Sequence, residues 1–390
     1  MRVLHVLNSA YGGSALSTLQ LIEELKAHGV TSSLVCLNNA DAETESAIRS
    51  RVEGSVLFIP LYWANKRSRV KWWKRPLLEL FTLSKTWAGY RYQREISALI
   101  RQDRIQLIHT STLVNNEGAI AGRRHHLPHV WHARELIGPG TYYEFPQPLQ
   151  WAQYVLSSCA CLVANSKITE DNLRRYFPAE KVKYIPNGIP ISGFKVRTHR
   201  AGNCVVGMIG NVTSTLKNHQ AFIRMAVRLK ELPHITFRIY GSLPPEADSY
   251  LSGLRGLITA GGMEERIQFM GHVSDVPSIA AELDVLFHPT EHESFGRIFI
   301  EAMAGGVPVI GMAGGGGEEM IIHGENGFLV EKNNPEQAAL LVGKLADDPE
   351  LRSRLGARGR RDVESMYDIR LTAGRIFNLY RQVIDSQKFN

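Results

Sequence analysis

Short apolar runs alternate with longer stretches of helical spacing along almost the whole chain. The runs are rich in Val, Ile and Leu, and most are followed by a turn-forming residue. Continuous runs of this kind are typical of parallel strands that are buried on both faces. Seven runs in the first half therefore predict seven strands: VLHVLN, SLVCLN, VLFIP, QLIHTS, HVWHA, CLVANS and KYIPNG.

The same pattern restarts after a polar stretch near residues 193–203. Six more runs predict six further strands: CVVGMIG, ITFRIYG, RIQFMG, DVLFHP, VPVIG and GFLV. A chain of 390 residues suits two domains of about 150–200 residues each. We therefore predict an α/β protein with two Rossmann-like, doubly wound parallel-sheet domains that face a cleft. The expected bounds are 1–190 and 200–370, followed by a C-terminal helix over 371–390.

Ligands of open parallel sheets bind at the carboxyl ends of the strands. Residues that could contact a ligand lie at or just after the ends of five predicted strands: Gly12-Gly13, His132, the loop from Gly210 to Lys217, Glu293 to Gly296, and residues 314–317. The cleft between the domains is therefore the expected ligand site.

Two glutamates, Glu293 and Glu301, stand on either side of seven mostly apolar residues. The run is helical from Gly296 onward, so Glu301 projects from a helix, whereas Glu293 precedes it beside the amides of Ser294 and Phe295. A carboxylate that accepts and amides that donate can hold sugar hydroxyls, and the second carboxylate can hold another diol. The pair predicts a nucleotide sugar, with its ribose and its hexose. The alternative is that Glu293 only caps the helix.

The loop GNVTSTLKNHQ carries the candidate phosphate contact. Gly210 ends a strand and a helix opens near Lys217, so that helix amides and a lysine together favour phosphate. The Walker pattern is absent, and a solvated lysine at a helix start is the alternative. Gly12-Gly13 lacks the GxGxxG spacing, which disfavours a nicotinamide cofactor. The single histidine of VWHARE, His132, has a structural role as its alternative.

Taken together, these segments resemble the family 4 retaining glycosyltransferases of the GT-B fold. The signature is the frame Glu293-SFGRIFI-Glu301, and the resemblance is most specific from His288 to Val330. Similar segments elsewhere are YGGSALSTLQL, ANSKITEDNL, IPNGI, GNVTSTLKNHQ and GHVSDVPSIAAELDVLFHP. One position departs from the family pattern: Asn211 stands where an arginine is usual. Arg297 is then a candidate for the missing second cation.

The resemblance implies an acceptor-binding first domain, a donor-binding second domain and a C-terminal helix that crosses back to the first. It implies that Glu301 holds the ribose, Glu293 with nearby amides holds the hexose, and Lys217 neutralises the leaving diphosphate. His132 would contact the hexose near its 6-hydroxyl, so His132, Lys217 and Glu293 are the implied catalytic residues. The implied donor-binding residues are Gly12, Gly13, Gly210, Asn211, Lys217, Gly241, Val273, Glu293, Ser294, Phe295, Gly296 and Glu301.

The expected reaction is transfer of a hexose, with retention of configuration, from a UDP-sugar such as UDP-glucose to a glycan or lipid-linked glycan in bacterial polysaccharide biosynthesis. No Asp-x-Asp motif occurs, so we expect no metal and no cofactor. Two alternatives remain open. One is a nucleotide-sugar epimerase or sugar phosphorylase on the same fold, and the other is a non-enzymatic binder of an anionic polymer.

The net charge of +7 is concentrated in one segment, Tyr62–Arg94, which holds nine basic residues, one acid and four of the six tryptophans. Tryptophans interleaved with cations are typical of a surface that binds anionic membranes peripherally. Solvated cations over buried tryptophans are the alternative, and clustering in one segment argues against nucleic acid. The acceptor or membrane candidates are Lys71, Trp72, Trp73, Lys74 and Arg75. Four cysteines in 390 residues favour reduced thiols and a cytoplasmic protein. The basic segment would then attach it peripherally to the inner membrane face.

Overall fold

The computed structural model describes residues 1–60, 92–138, 141, 159–198, 201–213, 215–291 and 293–387. The candidate membrane residues Lys71, Trp72, Trp73, Lys74 and Arg75 lie outside these ranges. The chain divides into two compact units. Unit 1 comprises Met1–Gly188 and Ile369–Asn390, and unit 2 comprises Ile189–Asp368.

Unit 1 is built on a seven-stranded parallel sheet with the strand order β3-β2-β1-β4-β5-β6-β7. Its strands are β1 Arg2–Leu7, β2 Thr31–Cys36, β3 Val56–Phe58, β4 Leu107–Ser111, β5 His129–Ala133, β6 Cys161–Ala164 and β7 Val182–Tyr184. Its helices in this part of the chain are α1 Gly13–Lys26, α2 Ala42–Arg51, α3 over residues 92–102, α4 Glu117–Arg124 and α5 Lys167–Arg174.

Unit 2 repeats this plan with a six-stranded parallel sheet of order β10-β9-β8-β11-β12-β13. The strands are β8 Cys204–Ile209, β9 Ile235–Tyr240, β10 Ile267–Gly271, β11 Val285–His288, β12 Val309–Met312 and β13 Gly327–Val330. The helices are α6 His219–Arg228, α7 Asp248–Gly261, α8 Val276–Glu282, α9 Arg297–Ala304, α10 Pro335–Asp347 and α11 Pro349–Met366. Both sheets reverse strand order at one switch point, between β1 and β4 and between β8 and β11.

Apolar cores on both faces of each sheet explain why the strands appear as unbroken apolar runs. In β11, Val285 and Phe287 belong to one core of unit 2, whereas Leu286, which lies between them, belongs to the other. Side chains alternate between the faces of a strand, so a strand covered on both faces can be apolar at successive positions. All thirteen predicted runs form strands, and the predicted fold class is confirmed.

The last helix, α12 Ile369–Gln387, belongs to unit 1 although it follows unit 2 in sequence. Ile376 and Tyr380 are fully buried, and they share a core with Leu21 and Leu25 of α1. This burial stabilises the helix against α1, because apolar area removed from water contributes about 25 cal/mol per Å². No helix in the described ranges is both long and apolar enough to cross a membrane.

Candidate functional site

Two loops meet at the switch point of unit 2. The first follows β8 and carries Lys217, and the second follows β11 and carries Glu293. The Nζ atom of Lys217 donates a hydrogen bond to Oε2 of Glu293 at 2.8 Å. Both side chains keep contact with solvent, at 36% and 21% exposure. Strand order therefore brings together two of the predicted catalytic residues, although 76 positions separate them in sequence.

The carboxylate of Glu293 is held in its ionised form. Burial alone would raise its pKa, but the charge of Lys217 and hydrogen bonds from Lys217 and His288 outweigh burial and lower the pKa well below its usual value. Nε2 of His288 lies 3.5 Å from Oε2 of Glu293 and 2.7 Å from Oγ1 of Thr290. His288 was not among the predicted site residues. The sequence could have identified it, because His288 ends the strand DVLFHP and ligands of parallel sheets bind at the carboxyl ends of strands.

Glu293 is not the N-cap residue of helix α9. The N-cap residue is Gly296, in a left-handed conformation with φ +86°. A side chain at Gly296 would collide with the ring of Phe299, at 2.6 Å from Cδ2. The carboxylate of Glu293 is directed to Lys217, with which it forms a hydrogen bond.

Glu301 projects from α9 as predicted, but it is paired in this structure. Only 4% of the residue is exposed, and its Oε1 accepts a hydrogen bond from Nε of Arg297 at 2.6 Å. Burial raises the pKa of Glu301, and the nearby charge and hydrogen bond of Arg297 oppose that rise. Arg297, the candidate second cation, thus pairs with the second glutamate of the frame.

The loops after β8 and β9 touch through glycine. Gly241 has φ +156°, and a Cβ atom there would lie 2.1 Å from the carbonyl oxygen of Gly210. The side chain of Asn211 accepts a hydrogen bond from the amide of Ser242 at 3.0 Å. Asn211 thus ties these two loops together, which gives the residue at the unusual position a structural role.

The loop after β8, the candidate phosphate loop, differs in detail from the prediction. Lys217 lies in a short 3-10 helix, Thr215–Lys217, and α6 begins only at His219. The predicted helix start was therefore two residues early. The methylene chain of Lys217 packs over Gly210, since a Cβ atom on that glycine would lie 3.1 Å from Cγ of the lysine.

The glycine run after β12 packs against the loop of Glu293. The amide of Gly316 donates to the carbonyl of Glu293 at 2.8 Å. A Cβ atom at Gly316 would lie 2.7 Å from the backbone of Ser294 and Phe295, so only glycine allows this approach. Val273, one of the implied donor-binding residues, follows β10 and packs against the core that contains Phe295.

The predicted residues of unit 1 lie at the carboxyl ends of its strands. Gly12, with φ +90°, is the N-cap of α1, and Gly13 is the first residue of that helix. His132 is the penultimate residue of β5 and is fully buried. Its Nδ1 lies 3.2 Å from Nε2 of His109, whereas its Nε2 has no hydrogen-bond partner among the described residues.

In the part of the chain that the structure describes, no three His, Cys, Asp or Glu side chains are grouped closely enough to hold a metal ion. All four cysteines are buried and none forms a disulfide.

Curated relatives share parts of this sequence. The capsular polysaccharide biosynthesis glycosyltransferase CapM of Staphylococcus aureus is 28% identical over 178 residues, which is 46% of each chain. The spore coat protein SA of Bacillus subtilis is 23% identical over 317 residues, 75% of this chain and 82% of that protein. The chain spans about half the length, or less, of the first curated relatives it matches.

Solved structures share the fold over nearly the whole chain. Anabaena Alr3699/HepE, crystallised with UDP and glucose, has a TM-score of 0.77 at 20% identity and covers 98% of this chain and 100% of its own. A glycosyltransferase from Rickettsia africae has a TM-score of 0.79 at 17% identity, with 98% of each chain covered.

Two family profiles match consecutive parts of the sequence. Glycosyltransferase Family 4 matches residues 11–192, and Glycosyl transferases group 1 matches residues 194–362. Together they cover most of both units but leave out β1 and α12 of unit 1. The chain therefore belongs to the family 4 (group 1) glycosyltransferases and has their GT-B fold.

Proposed function

We propose that the protein transfers a hexose from a UDP-sugar to a glycan or lipid-linked glycan, with retention of configuration and without a metal ion. UDP-glucose is the proposed donor. The observation that carries this proposal is the contact between Lys217 and Glu293 at the switch point of unit 2. An ionised carboxylate and a cation there provide, on adjacent loops, an acceptor for sugar hydroxyls and a counter-charge for phosphate.

Each residue then has one task. Glu301 accepts hydrogen bonds from the ribose hydroxyls, and Glu293 accepts from the hexose. Lys217 exchanges the carboxylate of Glu293 for the diphosphate and stabilises the negative charge that develops as the diphosphate leaves. Such a preorganised charge typically contributes several kcal/mol to the transition state. In unit 1, Gly12 and Gly13 allow backbone close to the phosphate and sugar, and His132 contacts the hexose.

The names of relatives support this assignment. HepE was crystallised with UDP and with UDP-glucose, and CapM is described as a capsular polysaccharide glycosyltransferase. The relative from Rhizobium leguminosarum is described as a lipopolysaccharide core mannosyltransferase, so the sugar of the donor needs a direct test.

The test is release of UDP from UDP-[14C]glucose, measured with and without a glycan or lipid-diphosphate-linked acceptor. We expect UDP release and labelled product only when both substrates are present. Equal UDP release without an acceptor would contradict transfer, and conversion to an isomeric UDP-sugar would show an epimerase. Sugar 1-phosphate formed from glycan and inorganic phosphate would show a phosphorylase, and absence of all turnover would favour the polymer-binding alternative.

Chelation should leave the activity unchanged. Lys217 provides in this proposal the positive charge that a divalent cation would otherwise bring to the diphosphate. Transfer rates measured in excess EDTA and in added magnesium or manganese should therefore be equal. An absolute requirement for either ion would contradict the metal-free mechanism.

We also propose that the basic, tryptophan-rich segment binds the inner membrane face. Each cation near an anionic surface contributes about 1 kcal/mol, so several engaged residues suffice for reversible binding. We expect the protein to pellet with anionic but not with neutral liposomes at low salt. The variant with Lys71, Lys74 and Arg75 changed to Glu should lose most of this binding. Equally weak pelleting of both proteins would favour the solvated-cation alternative.

A further inference from the structure

A row of polar side chains crosses one buried face of the sheet in unit 1. Ser32 of β2, His5 of β1, His109 of β4 and His132 of β5 lie on four neighbouring strands, and each is at most 1% exposed. The same face otherwise carries the apolar core that α1 and α12 cover. Burying a polar group in apolar surroundings costs free energy unless the group is hydrogen-bonded. The hydrogen bonds of this row therefore indicate which of its atoms donate and which accept.

Three members of this region form a chain of hydrogen bonds that ends at a candidate site residue. The hydroxyl of Tyr380, from α12, contacts Nδ1 of His109. Nε2 of His109 lies 3.2 Å from Nδ1 of His132. The chain ends at Nε2 of His132, which is buried without a hydrogen-bond partner among the described residues.

The position of each proton follows from the first bond. Burial raises the pKa of Tyr380 well above its usual value, so Tyr380 is a neutral phenol whose hydroxyl must donate. Its hydrogen-bond partner in the described part of the chain is Nδ1 of His109, which must then accept. Burial also lowers the pKa of His109 and of His132 well below the usual value, so both rings are neutral.

A neutral imidazole has one N–H donor and one acceptor nitrogen. If Nδ1 of His109 accepts, its proton is on Nε2, and that N–H donates to Nδ1 of His132. The proton of His132 is then on Nε2. The reverse arrangement would leave the buried hydroxyl of Tyr380 as a second donor without an acceptor, and is therefore less favourable.

We propose that Tyr380 and His109 are positioning residues that hold His132 as the tautomer protonated on Nε2, so that His132 offers a hydrogen-bond donor to an oxygen atom of the transferred sugar. The contact with the sugar rests on the proposed function, whereas the tautomer of His132 does not. The C-terminal helix thereby supplies a polar group that acts on the site through two imidazole rings.

The direct test is a long-range ¹H–¹⁵N spectrum of protein labelled with ¹⁵N-histidine, which shows the protonated nitrogen of each ring. Variants His109→Asn and His132→Asn identify the two signals. At neutral pH, we expect both rings to be neutral and protonated on Nε2. A proton on Nδ1 of His132, or a cationic ring, would overturn the proposal whether or not the protein is a glycosyltransferase.

Tyr380→Phe tests the role of the phenol at nearly constant volume. Without that donor the two arrangements of the histidine pair become similar in energy, so we expect the His132 signal to show a mixture of tautomers. If half the molecules are competent, affinity for the UDP-sugar falls about twofold, while affinity for UDP is unchanged. A Phe variant that keeps the single tautomer and full affinity would contradict the proposal.

Ser32→Ala is the matched control. Ser32 bonds to Nε2 of His5 at 3.2 Å, and His5 packs beside His109 with ring centroids 5.3 Å apart without a hydrogen bond between the rings. This variant removes a buried hydroxyl from the same row but leaves the chain to His132 intact. We expect the His132 tautomer and UDP-sugar affinity of the wild type. An effect equal to that of Tyr380→Phe would show a general loss of packing and overturn the assigned roles.

Discussion

Replacement of Lys217 by alanine is expected to lower kcat/KM for glycosyl transfer by about 10²–10³-fold. The substitution removes the cation proposed to meet the leaving diphosphate, and it leaves the carboxylate of Glu293 without its 2.8 Å partner. A negative charge would then face the negative diphosphate directly. Asn211 cannot substitute for the lysine, because its side chain is neutral and bonds to the next loop.

Two further variants define the cause of that loss. Lys230→Ala is the control, since Lys230 is an exposed lysine of unit 2 that lies 3.8 Å from Glu231, and it should leave the rate unchanged. The double variant Lys217→Ala with Glu293→Gln should bind UDP more tightly than Lys217→Ala alone, because it removes the uncompensated carboxylate. A loss of less than about tenfold in Lys217→Ala would show that another cation, such as Arg297, meets the diphosphate.

Substitution of Glu301 is expected to lower nucleotide affinity, whereas substitution of Glu293 is expected to lower the rate of transfer. Glu301→Gln should weaken binding of UDP and of the UDP-sugar by about 10- to 100-fold, because hydrogen bonds to a charged acceptor contribute about 1.5–3 kcal/mol. Glu293→Gln should lower kcat with little change in UDP affinity. Glutamine is the preferred replacement for Glu301, since its side-chain oxygen can still accept the hydrogen bond from Nε of Arg297, which alanine cannot.

A nucleotide without ribose hydroxyls provides the matched control for Glu301. The wild type and Glu301→Gln should bind 2′,3′-dideoxy-UDP equally, because the group that the carboxylate holds is absent. Calorimetry and steady-state rates measure both effects, and circular dichroism checks that each variant is folded. Normal UDP affinity in Glu301→Gln together with a normal rate in Glu293→Gln would refute both assignments.

The fold could be predicted from the sequence because its strands are covered on both faces. Leu286 and Phe287 face different cores, so β11 is apolar from Val285 to Phe287 and is distinct from the helices around it. Helix α9 was equally clear, because Glu301 is the one carboxylate in its apolar run. The ion pair between Arg297 and Glu301 could also have been predicted from the sequence, since residues four apart on a helix are neighbours.

The contacts that define the site were harder to predict. Lys217 and Glu293 were both identified, but their meeting depends on β8 and β11 being adjacent, which a list of strands does not give. His109 and Tyr380 are 271 positions apart and meet only because α12 returns to unit 1. Nothing in the sequence around a buried histidine indicates which distant residue it bonds to. The chain of hydrogen bonds from Tyr380 to His132 was therefore not predictable.

In the proposed function, the loops carrying Lys217 and Glu293 bind the diphosphate of a nucleotide sugar. Isothermal titration of the wild type and Lys217→Ala with UDP, UMP and uridine tests it most directly, with GDP and ADP as alternative bases. We predict that wild-type affinity falls in the order UDP, UMP, uridine, and that Lys217→Ala loses the advantage of UDP while binding uridine as the wild type does. Equal affinity of both proteins for UDP, or no binding of any nucleoside diphosphate, would contradict the account.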